Sequence, residues 1–158
     1  MIEVTRRVRT STPVELVSSY LSDFTTTATW DPHTASCRRV DDGPIAVGSA
    51  FDNVQRIGPM RSRFRYRVEQ YEPGSRIVLT SQSGGVDLRD TMTFAADRDG
   101  AVTTVTYTVR LRLKGVAKVS APIMRRLLNR IADQGAAGMQ QTLDTLVSGP
   151  GHAWTSPA

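Results

Sequence analysis

Apolar and polar residues alternate along residues 60–71, and this period of two predicts a β-strand with one buried face. A register slip of one residue would bury four arginines, so the register of this strand is strongly specified. The predicted inward positions are Met60, Ser62, Phe64, Tyr66 and Val68, and the outward positions are Arg61, Arg63, Arg65, Arg67 and Glu69.

Turn signals divide the first 114 residues into seven strands and two short helices. Gly-Pro, Pro-Gly and Asp-Gly pairs separate the alternating segments, and each pair favours a turn. Thr12, Pro13 and Glu15 match a helix start in which the Thr12 side chain caps the first turn. Because the later connections are short, strands adjacent in sequence should pair antiparallel. The strands are predicted at residues 2–9, 36–40, 49–57, 60–71, 76–82, 86–96 and 101–113, and the helices at residues 13–21 and 24–30.

A long C-terminal helix is predicted at residues 120–148. Ser120 is suited to cap its first turn, Pro122 falls where a missing N–H costs little, and Gly-Pro at 149–150 would end it. Each residue of a helix advances about 100° around the axis, so apolar residues spaced three or four positions apart share one face. This face consists of Met124, Leu127, Leu128, Ile131, Met139 and Leu146.

Small residues interrupt the apolar face of this helix. Gly135, Gly138 and Thr142 lie in its middle, and each glycine costs about 1 kcal/mol relative to alanine in a helix interior. Two interpretations are open: the glycines allow close backbone packing, or they leave room for a ligand.

The order of these elements predicts an α+β fold. A sheet with one apolar face must cover that face, and the C-terminal helix, roughly 40 Å long, is the element large enough to do so. We therefore expect an antiparallel seven-stranded curved sheet wrapped around the long C-terminal helix, with two short helices after the first strand. Such an arrangement leaves a pocket between helix and sheet. Residues 1–148 would form a single domain, and residues 149–158 a disordered tail.

Composition excludes several classes of protein. The 158 residues are 39% hydrophobic and 22% charged, as in a soluble globular protein. No apolar run approaches the roughly 20 residues of a membrane span, and no signal peptide is visible. With a lone Cys37, which we expect to be an inert thiol, these features indicate the cytoplasm.

No metal-ligand spacing, phosphate-binding loop or dinucleotide motif occurs, so neither a metal nor a cofactor is expected. Monomer and homodimer are both compatible with the sequence.

The chain is basic, with a formal net charge of +5, and 18 of its 20 basic residues are arginine. This charge indicates either an anionic partner or a bias in genome composition. The outward arginines of residues 60–71 form a stripe that would suit an acidic carrier protein, an anionic membrane surface or nucleic acid, and a solvated sheet face is the alternative. No aromatic residues interleave with the stripe, so nucleic-acid binding is not expected.

Six short motifs follow one another in a recognisable order and spacing. They are Pro-Val-Glu-Leu-Val at 13–17, Leu-Ser-Asp-Phe at 21–24, Trp-Asp-Pro-His at 30–33, Val-Gly-Ser-Ala-Phe at 47–51, Tyr-Glu-Pro-Gly-Ser-Arg-Ile at 71–77 and Leu-Lys-Gly at 113–115. Together they resemble the helix-grip fold of the START and birch-pollen-allergen superfamily (SRPBCC). The likeness is greatest to its polyketide cyclase/dehydrase and lipid-transport group, which is widespread in bacteria.

The resemblance covers residues 1–148 and implies a cavity that holds a hydrophobic or amphipathic small molecule, lipid-like or polyketide-like. Some members of the group cyclise or dehydrate polyketides, and many only bind or carry a ligand. We therefore expect ligand binding or transport, with a polyketide cyclase, aromatase or dehydrase as the first alternative. An interaction module that uses the basic sheet face is the second alternative.

Asp90 is the first candidate for chemistry, because its parity places a carboxylate inward between Leu88 and Met92. A buried carboxylate needs a partner, or its pKa rises, and it can then act as an acid or base near neutral pH. The alternative is a structural residue near a strand end, bonded to the backbone or to an arginine.

Two tyrosines and a histidine complete the catalytic candidates. Tyr66 and Tyr107 would face the cavity, and His33 follows Trp30 where the resemblance places the pocket mouth. Buried tyrosines commonly make one structural hydrogen bond. An aspartate such as Asp31 commonly closes a turn. A purely structural role therefore remains open for both tyrosines and for the segment that contains His33. The predicted ligand-binding residues are Trp30, Phe64, Tyr66, Met92, Phe94, Tyr107, Met124, Ile131, Gly135, Gly138, Met139 and Thr142.

Overall fold

The structure, a computed structural model, describes residues 1–148. Its strands are β1 (Ile2–Thr10), β2 (Thr34–Arg39), β3 (Ala50–Ile57), β4 (Met60–Glu72), β5 (Arg76–Ser83), β6 (Val86–Ala96) and β7 (Thr103–Leu113). Its α-helices are α1 (Val14–Ser22), α2 (Thr27–Trp30) and α3 (Ala121–Ser148), and 3₁₀ helices precede α2 at Phe24–Thr26 and α3 at Gly115–Ser120. The predicted disordered tail at 149–158 lies outside the described residues.

The seven strands form one antiparallel sheet in the order β1-β7-β6-β5-β4-β3-β2. Strands adjacent in sequence from β2 onward pair as predicted, and β1 joins the edge of β7 with Val4 opposite Val109. The sheet curls around α3, so the predicted helix-grip fold is confirmed. This arrangement directs one face of every strand toward the long helix.

The predicted alternation along β4 is also confirmed. Tyr66 and Val68 are buried, whereas Arg65 and Arg67 are exposed. The inward side chains build two hydrophobic clusters against α3. The larger is formed chiefly by Val17, Leu21, Phe24, Phe51, Ile77, Leu79, Met92, Phe94, Val105, Met139 and Leu143, and the smaller by Ile2, Val4, Leu111, Leu113 and Leu128.

The predicted capping of the first helix by Thr12 is wrong. Helix α1 begins at Val14, and no side chain caps it. The Thr12 hydroxyl, which is fully buried, instead donates a 2.6 Å hydrogen bond to the carbonyl of Leu143 on α3. The Thr103 hydroxyl donates to the Thr12 carbonyl at 2.7 Å. Thr12 therefore connects the turn after β1 to α3 and β7, because the tertiary partners satisfy its polar groups instead of the helix.

Two other predicted helix starts differ from the structure. Ser120 lies at the end of the second 3₁₀ helix, where its hydroxyl donates to the Ala117 carbonyl at 2.7 Å. The predicted helix 24–30 is divided into a 3₁₀ turn and α2. Asp23 caps that turn, since its Oδ1 accepts from the backbone N–H of Thr25 at 3.1 Å.

Candidate ligand-binding cavity

A cavity of about 290 Å3 lies between the inner face of the sheet and the N-terminal half of α3. Its volume is at the lower end of the roughly 300–1,000 Å3 typical of small-molecule sites. Most of the wall is apolar, formed by Val4, Trp30, Ile57, Met60, Phe64, Val86, Leu88, Val109, Leu111, Met124, Leu127, Leu128, Ile131 and Ala132. The remaining wall residues are Arg6, Asp31, Gln55, Ser62, Tyr66, Asp90, Tyr107 and Gly135.

The predicted site residues fall into two groups. Those that the structure brings together in the wall are Trp30, Phe64, Tyr66, Asp90, Tyr107, Met124, Ile131 and Gly135. The structure places Met92, Phe94 and Met139 in the packed core, and Gly138, Thr142 and His33 also lie outside the wall. The helical period correctly predicts one inward face of α3, but the C-terminal half of that face packs against the core while the N-terminal half borders the cavity.

The two glycines of α3 have different surroundings. A Cβ on Gly138 would lie 2.0 Å from the carbonyl oxygen of Trp30, so close backbone packing excludes any side chain there. A Cβ on Gly135 would meet the Trp30 ring at 3.8 Å, an ordinary contact. The packing interpretation therefore applies to Gly138, while Gly135 borders the cavity.

Asp90 lies in the middle of β6, with its side chain directed toward α3. It is opposite Val109 in the register, and Tyr107 is its diagonal neighbour on β7. The Tyr107 hydroxyl donates to Asp90 Oδ2 at 2.7 Å. Asp90 Oδ1 is buried and has no hydrogen-bond partner among the described residues. The predicted structural alternative, a carboxylate near a strand end bonded to backbone or arginine, does not match these contacts.

Burial dominates the electrostatics of this carboxyl group. Loss of hydration raises the pKa of Asp90 to about 7, although the hydrogen bond from Tyr107 lowers it, and the charge of Asp31 adds to the increase. Burial also raises the pKa values of Tyr107 and Tyr66 well above 10, and the neighbouring Asp90 contributes to both. Both phenols are therefore protonated at neutral pH and can donate hydrogen bonds.

Trp30 is a wall residue that lies beside Gly135 of α3. Its ring meets the Tyr107 ring edge-on, with the centroids 5.9 Å apart and the planes at 88°. The indole Nε1 is buried and has no hydrogen-bond partner among the described residues. Trp30 and Asp90 are thus two wall residues that each hold a buried polar atom without a partner among the described residues.

Arg6 is a wall residue that the sequence reasoning missed. It shares the inward parity of Ile2, Val4 and Val8 on β1, and this parity was the available signal. Its Nε donates to Asp133 Oδ1 at 2.7 Å and its Nη2 to Asn129 Oδ1 at 3.0 Å. Arg6 therefore joins β1 to α3 beside the cavity, and its guanidinium is engaged by the protein itself.

His33, a predicted catalytic candidate, does not join Asp31, Tyr66 and Tyr107 in the cavity wall. Asp31 closes a turn as predicted, because its Oδ1 accepts from the His33 backbone N–H at 3.0 Å and its Oδ2 from the Thr34 hydroxyl at 2.8 Å. The His33 ring nitrogen Nε2 lies 2.5 Å from Oε1 of Gln134 on α3. The histidine therefore tethers the turn to the helix outside the cavity wall.

The arginine stripe lies on the outer face of the sheet. All four of its side chains are exposed, and Arg65 makes a bidentate ion pair with Asp52, with N–O distances of 2.7 and 2.8 Å. The stripe therefore contributes nothing to the cavity.

Burial raises the pKa of the Cys37 thiol, which disfavours the reactive thiolate.

Two features are absent from the described residues 1–148. No group of three histidine, cysteine or acidic side chains there could hold a metal ion. No helix in that range is long and apolar enough to cross a membrane.

Comparison with solved structures supports the fold. A START superfamily protein from Mycobacterium smegmatis superimposes with a TM-score of 0.75 at 16% identity, covering 91% of this chain and 98% of that chain. The Zhui aromatase/cyclase from Streptomyces sp. R1128 gives 0.70 at 14% identity, covering 89% and 90%. The protein TTHA0849 from Thermus thermophilus gives 0.76 at 16% identity, covering 93% and 99%. At these identities the likeness shows a shared fold and no more.

Sequence comparison assigns the family. No curated protein matches this chain. Residues 1–144, however, match the family described as polyketide cyclase / dehydrase and lipid transport. This match covers nearly all of the chain and confirms the resemblance predicted from the six motifs. The protein therefore belongs to the polyketide cyclase/dehydrase and lipid transport family.

Proposed function

We propose that this protein binds a hydrophobic or amphipathic small molecule in the cavity between the sheet and α3. The observation that carries the proposal is the cavity itself, which is apolar over most of its wall and holds a few polar groups at defined positions. This combination is typical of small-molecule sites, because apolar walls supply affinity and fixed polar groups orient the ligand.

The size of the cavity favours a compact ligand. At about 290 Å3 it suits one or two rings or a short chain better than a whole diacyl lipid. Burying roughly 200 Å2 of apolar ligand surface contributes about 5 kcal/mol. A gain of about 5 kcal/mol corresponds to a dissociation constant of about 0.2 mM, and lost ligand freedom offsets part of it. Apolar burial alone should therefore give only weak binding, and tighter binding requires polar contacts as well.

The proposal is tested by filling the cavity. Ala132 borders the cavity, whereas Ala137 is exposed on the same helix, so Ala132→Phe and Ala137→Phe form a matched pair. The uncharged fluorescent probe 6-propionyl-2-(dimethylamino)naphthalene, which has two fused rings, should bind the wild type and Ala137→Phe alike, and Ala132→Phe at least about tenfold more weakly. Thermal unfolding of each variant checks that the fold is retained. Equal binding by all three proteins, or none by the wild type, would contradict the proposal.

Catalysis by Asp90 is the second candidate function. It is favoured by the position of this residue in the cavity wall, by its pKa of about 7 and by a carboxyl oxygen without a partner among the described residues. Such a group can exchange protons at neutral pH. Asp90 would accept a proton from an acidic carbon of a polyketide-like chain that the cavity holds in a reactive conformation, and return it to a departing hydroxyl, which leaves as water. Asp90→Asn should then abolish dehydration of a bound substrate while preserving its affinity, and unchanged turnover would remove Asp90 from the reaction.

A further inference from the structure

Two residues of the cavity wall each hold a buried, unsatisfied polar atom, and a small rotation of either side chain would present that atom to a ligand, provided that the proposed binding function holds. Asp90 and Trp30 are each only 3% exposed, and Asp90 Oδ1 and Trp30 Nε1 have no hydrogen-bond partner among the described residues. A buried polar atom without a partner costs about 1–3 kcal/mol. A ligand that supplies both partners therefore gains affinity that a pure hydrocarbon does not.

The charges around the cavity disfavour an anionic ligand. Asp31 and Asp90 both lie in the wall, and Arg6 is the only cationic residue among its described members. The Arg6 guanidinium already donates to Asp133, to Asn129 and to the Thr5 carbonyl. A carboxylate or phosphate in the cavity would thus lose its hydration and meet like charges without an unengaged cation.

A cationic ligand would be attracted by Asp31 and Asp90, but it would satisfy fewer hydrogen-bonding groups of the site than an uncharged oxygen. Both carboxylate oxygens of Asp31 already accept hydrogen bonds, and Tyr107 occupies Asp90 Oδ2. An ammonium group only donates hydrogen bonds, so it would leave the Trp30 N–H without an acceptor. A hydroxyl or carbonyl oxygen can accept a hydrogen bond from the Trp30 N–H. Asp90 can donate a hydrogen bond to a carbonyl when it is protonated, and it can accept one from a hydroxyl when it is ionised.

We infer that the cavity selects uncharged oxygenated molecules, whose hydroxyl or carbonyl groups meet Asp90 and Trp30, and discriminates against fatty acids, phospholipids and other anionic amphiphiles. The selection depends on the balance of hydrogen-bond donors and acceptors in the wall, and the apolar remainder of the cavity accepts the body of the ligand.

The test uses four ligands that share one naphthalene body and differ in the polar group. These are 2-naphthalenemethanol, 2-acetylnaphthalene, 2-naphthoate and 2-naphthylmethylammonium, measured by calorimetry at pH 8 on the full chain. We expect the alcohol and the ketone to bind, and the carboxylate to bind at least about tenfold more weakly. The ammonium should fall between them, because Asp31 and Asp90 attract it while the Trp30 N–H loses its acceptor. In Asp90→Asn the penalty on naphthoate should fall to about threefold or less, because the nearest like charge is gone. Asp99→Asn, the same change at an exposed position, should leave the order of affinities unaltered.

The outcomes separate the selectivity from the proposed function. Naphthoate binding as tightly as the alcohol, or the ammonium binding most tightly, would overturn the inference while leaving ligand binding intact. An unchanged penalty on naphthoate in Asp90→Asn would also overturn it. Binding of none of the four ligands by the wild type would contradict the proposed function together with the inference.

Discussion

The phenolic hydroxyl of Tyr107 donates a 2.7 Å hydrogen bond to Asp90 Oδ2 inside the cavity between sheet and helix. The two residues lie diagonally on neighbouring strands, since Asp90 is opposite Val109 and Tyr107 is opposite Met92. The bond stabilises the ionised carboxylate, while burial disfavours it more strongly. Asp90 is therefore an acid that titrates near neutral pH within a mostly apolar wall.

Replacing Asp90 by Asn should change the pH dependence of stability. The pKa of Asp90 rises from its ordinary value of 3.8 to about 7 on folding. Between these values the folded state holds a proton that the unfolded state has released, so wild-type stability falls as pH rises from about 4 to 7. The difference corresponds to roughly 4 kcal/mol at most, and Asp90→Asn lacks it. The measurement is urea unfolding of both proteins from pH 5 to 8.

The stability of Asp90→Asn relative to wild type should therefore increase with pH over this range and level off above about pH 7. Comparing the two proteins at each pH cancels the titration of all other groups. A constant difference from pH 5 to 8 would show that Asp90 is already ionised throughout the range.

Replacing Tyr107 by Phe should raise the pKa of Asp90 further above 7. The hydrogen bond from Tyr107 is the contact that favours the ionised carboxylate, and Phe keeps the ring but removes the donor. Carbon-detected NMR of the Asp90 carboxyl group measures the change directly. Tyr71→Phe, a half-buried tyrosine on β4, is the matched control and should leave the titration in place. A lower or unchanged pKa in Tyr107→Phe would contradict the assigned contact.

Alanine substitutions at the two glycines of α3 should have opposite effects. Gly138→Ala places a methyl group 2.0 Å from the Trp30 carbonyl, so α2 or α3 must move, and we expect a loss of about 2 kcal/mol or more. Gly135→Ala meets only ordinary contacts at 3.8 Å and gains helix propensity of up to about 1 kcal/mol. Urea unfolding of both variants tests this, and equal stabilities would show that the approach of Trp30 to Gly138 is not rigid.

The buried hydrogen bond of Thr12 should contribute more to stability than an exposed one. Thr12→Val removes the donor to the Leu143 carbonyl, and we expect a loss of about 1–2 kcal/mol. Thr5→Val removes the exposed contact between the hydroxyls of Thr5 and Thr108 and should change the free energy of unfolding by less than about 0.5 kcal/mol. A loss in Thr12→Val no larger than in Thr5→Val would show that the connection to α3 is dispensable.

Several features of the site were accessible from the sequence because they depend on local periodicity. The alternation along β4 predicted the inward positions of Phe64 and Tyr66, and the parity of β6 predicted a buried Asp90. Arg6 was accessible by the same rule but was missed, since an arginine on an inward position contradicts the expected burial of apolar residues. Met92 and Phe94 have the correct parity yet lie in the core, because parity specifies a face and not a position along the strand.

The sequence by itself determined the α+β class, the strands, the inward face of each, and the long helix that must cover them, because side-chain period and turn chemistry are local properties. Only the tertiary structure decided that Tyr107 is the partner of Asp90, that Thr12 bonds to α3, and that Gly138 packs while Gly135 borders a cavity. These contacts join segments that lie far apart in the chain, so they depend on strand register and helix docking, which no local pattern specifies. The chemistry of the cavity is set by those long-range contacts.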